Sequence, residues 1–236
     1  MTSHTELGGL PKWNLQELRG TVERLHGGDQ ATRVWRSSQS IVKRQEYMKY
    51  HYTEVERLVG PDLNDADSQD ILVNFILGDT PEYHEFHHRR THAEANLLAL
   101  LQCVHAIEDT LAHVIYFAKN IDRLDADKIS ISSVQKLLPI GALRDEVQSM
   151  LDNPDLRHVA ALVNTSKHRS VVSAQLSVSF VESELPHGLK FEAFEHRGKS
   201  YPQRWAVPFT KLAFNAIQQH MLQIGVTLNQ DLTPRS

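Results

Sequence analysis

Cysteine is almost absent from this sequence: the 236 residues include one, Cys103. No intrachain disulfide can form, and no C-x-x-C metal or redox motif exists. Cys103 lies in the apolar run NLLALLQCVHAI, where we expect a buried and inert thiol. A chain without disulfides fits a reducing compartment, so we expect a cytoplasmic protein.

Several familiar functional motifs are also missing. The sequence has no G-x-x-x-x-G-K-[ST], no G-x-G-x-x-G and no G-x-S-x-G pattern, so a phosphate-cradling loop, a Rossmann site and a serine-hydrolase elbow are not expected. No run of 18 apolar residues is present, so we predict no transmembrane helix and no membrane partner. Residues 1–13 lack a basic segment followed by an apolar one, so a secretory signal is not expected.

The charge of the chain is close to balance. Hydrophobic residues make up 41% and charged residues 23%, as in ordinary soluble proteins, and the net charge is −4 with histidine neutral. A protein that is basic all over is therefore excluded, although a local basic patch is not. The 14 histidines would make any anion binding pH-dependent, because histidine changes charge near about pH 6.

Proline and glycine divide the first part of the chain into predicted helices. Asn14 is a helix cap, and the helix that follows it over about 15–26 is predicted to end at the next two glycines. A long, partly exposed helix over 31–59 is predicted to end at Gly60 and Pro61.

The middle of the sequence contains its most apolar segment. The run 71–78 is short and apolar, and periodicity leaves open whether it is a strand or a helical turn. Thr80 followed by Pro81 is a favoured helix start, and nothing interrupts the helical pattern from there to about Asn120. Residues 97–107 are apolar almost all round, so this helix is predicted to be the centre of the fold.

The last part of the chain changes from helical to strand periodicity. Shorter helices are predicted over 133–138 and 143–151, and another from Asn153 to about His168. Apolar and polar residues then alternate over 172–180 and over 189–193, which predicts an antiparallel hairpin. A third strand is expected over 200–207, after the turn HRGK at 196–199, and Pro208 is predicted to start the last helix.

These elements predict a mainly α, α-rich α+β fold in which a helical bundle surrounds a long central helix and carries a small C-terminal antiparallel β-hairpin. We expect a single domain over residues 1–236. Its predicted parts are a loose end at 1–11, the bundle at about 12–169, the hairpin at about 171–206, the closing helix at about 208–228 and a loose end at 231–236.

The stretch TPEYHEFHHRRTHAEAN at 80–96 holds four histidines within nine residues. On a helix, His84 and His88 share one face and His92 lies about 40° further round. Histidines four residues apart can chelate zinc or another transition metal, and Glu85-x-x-His88 has the spacing of a di-iron helical-bundle site. The alternative interpretation is a helix stripe that faces solvent or a partner protein.

Arg89 and Arg90 follow the same histidines. Arginine supplies electrostatic affinity for phosphate, so these two residues are candidates for nucleic-acid binding. Glu82, Glu85 and Glu94 flank them, and the patch is therefore small and partly neutralised.

A second stretch, LVNTSKHRSVV at 162–172, joins a helix end to a strand. Lys167, His168 and Arg169 place positive charge at a helix C-terminus, which stabilises the helix dipole, and this structural role is one interpretation. The other is functional. Asn164 and His168 lie four residues apart on one helix face, and beside two cations such a pair can bind phosphate and transfer a proton.

A long helix and a second helix that ends in Asn-x-x-x-His resemble the HEPN superfamily, over about residues 80–170. Those helical domains belong to prokaryotic defence, toxin–antitoxin and RNA-processing systems, and many are metal-independent ribonucleases that act as dimers. Their motif places an arginine five to seven residues before the histidine. This sequence has Ala161, Leu162 and Val163 at those positions, and its Arg157 precedes His168 by eleven residues.

The resemblance implies roles for four residues. His168 would act as general base or acid on a ribose 2′-hydroxyl, and Asn164 would orient the phosphate or the imidazole. Lys167 or Arg169 would stabilise the charge that develops on the phosphate, and no metal cofactor would be needed.

We therefore expect a HEPN-like cytoplasmic protein that forms a homodimer. It would act on RNA, as an atypical or degenerate ribonuclease, or bind a protein partner in a defence or toxin–antitoxin context. A metal-dependent helical-bundle enzyme that uses His84, Glu85, His88 and His92 is the alternative from another class. A non-catalytic interaction module is the third, so whether the protein is an enzyme stays open.

Overall fold

A computed structural model describes residues 12–63, 81–178 and 187–233. The helices in this part of the chain are α1 (Leu15–His26), α2 (Gly28–Leu63), α3 (Pro81–Ala118), α4 (Ile131–Leu137), α5 (Ala142–Asp152), α6 (Pro154–His168) and α7 (Ala206–Leu232), with a 3-10 turn at Ala126–Lys128. The strands are β1 (Ala174–Val178), β2 (His187–Phe191), β3 (Phe194–His196), β4 (Lys199–Tyr201) and β5 (Arg204–Trp205).

The predicted fold class is confirmed: the chain is a mainly α helical bundle with a long central helix and a small antiparallel sheet near its C-terminal end. The run 71–78, the predicted helix cap Thr80 and the predicted loose end at 1–11 lie outside the described residues.

Side-chain caps explain where several helices begin. The Asn14 side chain accepts a hydrogen bond from the Glu17 backbone N–H at 3.0 Å and so starts α1. Asn153 starts α6 in the same way, because its Oδ1 accepts from the backbone N–H groups of Asp155 and Leu156 at 3.0 and 3.1 Å. Both starts agree with the sequence prediction.

Helix α3 carries much of the core, as its apolar run predicts. Leu97, Leu100, Leu101, Val104 and Ile107 are all at most 1% exposed. Burial continues to the end of the helix, where Leu111 and Ile115 are fully covered. Burying one such side chain is worth about 2 kcal/mol, so α3 is a major source of stability. Cys103 differs from its prediction, because the residue is half-buried rather than buried.

The same helix contains a segment that satisfies a length and composition test for a membrane span. Within the described residues, His84–Ala118 alone passes, because an 18-residue window inside it has a mean hydropathy of 1.3, and 56% of that window is buried inside the structure. The core helix of a soluble protein passes this test equally well. The absence of a transmembrane helix therefore stays a prediction.

The sheet consists of two small antiparallel parts. Strands β1, β2 and β5 form one sheet in the order β1-β2-β5, with Ala174 opposite Phe191 and Lys190 opposite Trp205. Strands β3 and β4 form a separate hairpin, with Phe194 opposite Tyr201.

The backbone angles of Arg197 and Gly198 account for the turn between β3 and β4. Arg197 and Gly198 have φ angles of 50° and 74°, so both lie in the left-handed region, as a two-residue hairpin turn requires. The predicted HRGK turn is therefore found.

Three element ends near prolines differ from the sequence prediction. Helix α2 continues two residues past Pro61, because the fixed φ of proline is compatible with a final helical turn. Pro202, by contrast, separates β4 from β5, because it has no N–H to donate to a ladder. Helix α7 begins at Ala206 and takes Pro208 into its first turn, where proline is tolerated, and it ends at Leu232 rather than near 228.

The chain divides into two compact units. The first comprises Met1–Arg44, Ala106–Arg157 and Asn215–Ser236, and the second comprises Gln45–His105 and His158–Phe214. Within each unit, side-chain contacts join segments that are distant in the sequence. The single-domain organisation expected from the sequence stays a prediction.

In the first unit, the start of the described chain packs on α7. A Cβ placed on Gly225 would collide with the Trp13 indole, so only glycine permits this approach. Asn229 Nδ2 donates to the Asn14 carbonyl at 3.0 Å, and Lys119 forms an ion pair with Asp231 at 2.7 Å.

In the second unit, side chains on α3 hold neighbouring segments. The Glu94 carboxylate accepts from the Ala174 backbone N–H at 2.7 Å, which fixes the start of β1. His51 Nδ1 on α2 and Asn96 Oδ1 on α3 are 2.8 Å apart.

Candidate functional site

The β3–β4 hairpin contacts one face of helix α6. Residues 158, 165 and 169 lie within about 40° of one another around the helix axis, because 165 and 169 follow 158 by seven and eleven residues. On the hairpin, Phe194 and His196 point to the same side of β3. These two sets of side chains face each other, and they bring the end of α6 to the tip of the hairpin.

An aromatic cluster anchors the base of the hairpin. His158 is 5% exposed, and its ring lies 5.5 Å from Phe194, 5.1 Å from Tyr201 and 4.8 Å from Phe209, centroid to centroid. Phe194 and Tyr201 stack on each other at 5.0 Å with nearly parallel planes. Aromatic contacts of this kind add about 1 kcal/mol each beyond the burial of area, so the hairpin is firmly placed on α6.

A hydrogen bond joins the tip of the hairpin to α6. Thr165 Oγ1 lies 3.1 Å from His196 Nδ1, and Thr165 is itself buried. The pKa of His196 lies below its ordinary value, first because burial disfavours the charged ring and then because Arg197 and Arg169 repel its proton. Arg169 follows the end of α6 and Arg197 lies in the hairpin turn, so cations from two separate elements act on one histidine.

We call Arg169, His196 and Arg197 the basic cluster. Both arginines are exposed and the histidine is half-buried. Lys167 and Lys199, which are also exposed, adjoin the cluster in sequence, and the nearby Glu195 points to the other side of β3. In a chain whose net charge is −4, this is a local concentration of positive charge that can bind an anion.

The predicted residues Asn164 and His168 are not brought together by a hydrogen bond. Asn164 is half-buried, and its Nδ2 donates to the Ala160 carbonyl at 2.8 Å, in the helical turn before it. His168 is exposed in the following turn, beside Lys167. Arg157 is occupied elsewhere, since it donates to the Leu151 carbonyl and forms an ion pair with Asp152 at 2.6 Å.

The histidine stripe on α3 is largely exposed. His84, Glu85, His88 and His92 all face solvent, and the rings of His88 and His92 lie 4.2 Å apart. Among the described residues, no group of three histidine, cysteine, aspartate or glutamate side chains could hold a metal ion. The stripe therefore supplies metal ligands in pairs, and a tetrahedral site needs at least a third.

The same segment also contains a sequence pattern that is typical of zinc-dependent hydrolases. Residues His84 to His88 read H-E-x-x-H, in which two histidines bind zinc and the glutamate between them acts as general base. Because all of these residues lie on α3, the pattern has the helical context that it requires. The third ligand is what the described residues do not supply.

The two predicted nucleic-acid residues on α3 make local contacts. Arg89 donates to the Leu58 carbonyl at 3.3 Å and lies 3.9 Å from the Glu85 carboxylate. Arg90 Nη2 lies 3.0 Å from His87 Nδ1. Both arginines are half-buried, so their guanidinium groups are less accessible to a ligand than those of exposed arginines.

Sequence reasoning missed His196 and Arg197. The stretch HRGK at 196–199 predicts a turn, which the structure contains, but its position in the sequence does not show that its charge lies near that of Arg169. The available signal was that two short basic stretches flank one predicted hairpin.

Comparisons with protein-family models, with curated proteins and with solved structures produce no match to this chain.

Proposed function

We propose that this chain is a HEPN-like, RNA-directed cytoplasmic protein whose basic cluster contacts the phosphate backbone of single-stranded RNA. The observation that supports the proposal is the convergence of Arg169 and Arg197 on His196, which Thr165 holds by a hydrogen bond. Two cations held beside a partly desolvated histidine repel one another, and a bound phosphate relieves that repulsion.

The chemistry that fits this cluster is proton transfer. The exposed His168 is the acid–base residue that the HEPN resemblance implies. His196 adds a second imidazole, and because burial and then Arg197 and Arg169 lower its pKa, its neutral form, which a general base requires, is favoured. Arg169 and Arg197 would stabilise charge on the phosphate. A degenerate protein would bind RNA through the same residues without cleaving it.

The homodimer and the defence or toxin–antitoxin setting are part of the proposal and rest on the resemblance alone. They are tested separately, by the mass of the purified protein in solution and by the proteins that copurify with it.

The binding test uses two variants that each remove two positive charges. We expect Arg169→Gln/Arg197→Gln to weaken binding of a labelled single-stranded RNA on the order of tenfold and to lower the salt dependence of log Kd by about 1.4. The matched control is Arg36→Gln/Arg123→Gln, whose side chains are also exposed and belong to the first unit. Equal weakening in both variants would show non-specific attraction and would overturn the proposal.

A cleavage assay separates the catalytic form of the proposal from the binding form. RNA cleavage that persists in excess chelator and is lost in His168→Ala identifies a metal-independent ribonuclease. Binding without cleavage identifies the degenerate form. If the protein neither binds nor cleaves RNA, the remaining interpretation is a non-catalytic interaction module.

A metal-dependent hydrolase is the second candidate, favoured by the H-E-x-x-H pattern on α3. In it, His84 and His88 would bind zinc and Glu85 would activate the attacking water. Metal analysis of the purified protein beside His84→Ala/His88→Ala tests it, because a functional site would hold about one zinc per chain and lose it in the variant.

A further inference from the structure

The second unit also contains an open groove of about 600 Å³ beside the hairpin. Its lining includes Lys190, Pro202, Arg204, Trp205, Pro208 and Leu212. Two of these residues are cations, and none of the described lining residues is acidic. The rest of the groove is mainly apolar. It therefore combines an apolar wall with positive charge, which suits a ligand that has a flat apolar part and an anionic part.

Trp205 supplies the aromatic surface of the groove. Its indole is half-buried, and the Lys190 ammonium lies 4.4 Å from the ring centroid. The strand register places these residues directly opposite each other, because Lys190 on β2 pairs with Trp205 on β5. Gly188, two residues before Lys190 on the same strand, lies under the indole, which would be about 3.5 Å from a Cβ placed on Gly188.

Arg204 supplies the second charge. Its guanidinium carbon lies 4.9 Å from the centroid of the buried Phe209 ring, so the side chain is directed along the aromatic wall. Phe209 in turn contacts His158, the anchor of the β3–β4 hairpin. The groove and the hairpin are therefore built on one aromatic cluster.

We propose that this groove binds a nucleobase of single-stranded RNA, stacked on Trp205, with the adjoining phosphate on Lys190 and Arg204. The inference rests on the proposed function and names the form of RNA. Bases stack on aromatic side chains while cations track the backbone in proteins that bind single strands. Lys190 is flexible enough to move from the ring to the phosphate as the base takes its place.

The groove lies close enough to the basic cluster for one strand to reach both. Ala193 and Pro202 line the groove and flank the base of the β3–β4 hairpin, whose turn carries Arg197. Three residues of extended chain separate Ala193 from His196, which is about 10 Å. A short RNA strand spans this distance.

The test compares two labelled anions of the same length in one buffer: an oligouridylate of about ten nucleotides and a ribose–phosphate oligomer without bases. Both have the same backbone charge, so the ratio of their Kd values isolates stacking. We expect the oligouridylate to bind at least about fivefold more tightly, which is the lower end for one stacked base.

Three variants assign that ratio to Trp205. Trp205→Leu is expected to bring the two Kd values together, and Trp205→Phe to keep part of the difference. The matched control is Trp35→Leu, because Trp35 is also half-buried with a cation over its ring, Arg19 at 5.3 Å, but belongs to the first unit. Circular dichroism shows which variants are folded. If Trp205→Leu does not fold, the ratio of the two Kd values in the wild type still tests the inference.

Each outcome has one meaning. A base-dependent ratio that is lost in Trp205→Leu and kept in Trp35→Leu supports the inference. Equal binding of the two oligomers by the wild type leaves the proposed function standing and overturns this inference. No binding of either oligomer overturns both.

Discussion

The segment His84–His92 carries four histidines on one helix, whereas the basic cluster has one histidine from a hairpin strand and cations from two separate elements. Both regions belong to the second unit. The histidines of the first region are exposed, and they lie in a row because the helix spaces them so. The histidine of the second is half-buried, hydrogen-bonded and electrostatically coupled to two arginines.

The difference shows that many residues of one type in a short stretch of sequence need not form one site in the folded structure. A helix surface spreads its residues along the axis, so even the 4.2 Å contact between the His88 and His92 rings joins residues of one element only. Convergence requires that a second element be packed against the first. Here the His158 aromatic cluster provides that packing, and its removal is the strongest way to break the comparison.

The largest expected effect is on stability. His158→Ala removes a buried ring from contact with three aromatic neighbours, and we expect the free energy of unfolding to fall by about 3 kcal/mol. His88→Ala is the matched control from the exposed stripe and should change it by less than about 0.5 kcal/mol. Urea unfolding measures both. Similar losses in the two variants would mean that His158 does not anchor the hairpin.

A smaller effect is expected at His220 in the first unit. This histidine is half-buried, and Asn153 Nδ2 donates to its Nε2 at 3.3 Å. Burial lowers the pKa of His220, and Glu146 partly offsets this. Since the folded pKa is below the unfolded one, the stability that the neutral ring contributes is fully present above about pH 6.5 and is lost as the pH falls through the folded pKa.

We therefore expect the thermal midpoint to drop between about pH 7.5 and about pH 5.5, and His220→Gln to reduce that drop by about a degree or two. Asn153 also caps α6, so protonation of His220 would compete with the cap for the orientation of one amide. An unchanged pH dependence in His220→Gln would contradict this assignment.

The smallest expected effect concerns the exposed stripe itself. Because the described residues supply metal ligands only in pairs, we expect metal analysis to find far less than one metal ion per chain. We also expect the His84→Ala/His88→Ala variant to unfold like the wild type. One tightly held metal per wild-type chain, absent from the variant, would reverse the comparison and make the metal-dependent hydrolase the leading function.

Much of the fold was predictable because its signals are local. The apolar run on α3, the Asn14 and Asn153 caps and the HRGK turn act within a few residues, so the sequence alone indicates them. Where a prediction failed, two local tendencies competed. Pro202 and Pro208 are both visible in the sequence, but the sequence does not reveal that the first separates two strands and the second lies inside a helix that begins at Ala206.

The candidate site was predictable only in part. Lys167, His168 and Arg169 attract attention as a basic stretch after a helix, and the HEPN resemblance adds roles for Asn164 and His168. For the partnership with His196 and Arg197 the only sequence signal is that two basic stretches flank a predicted hairpin, because their contact depends on how an aromatic cluster docks a hairpin on α6. Trp205 was missed for the same reason, since its groove exists only once β2, β5 and α7 are assembled.

The measurement that tests the central claim most directly is the pKa of His196, followed by NMR through its ring protons with and without a saturating single-stranded RNA. Burial, and then Arg197 and Arg169, lower this pKa in the free protein, so a phosphate bound between the arginines should raise it, and Arg169→Gln should raise it without RNA. A bound RNA that leaves the His196 pKa unchanged would contradict the assignment of the basic cluster as the RNA site.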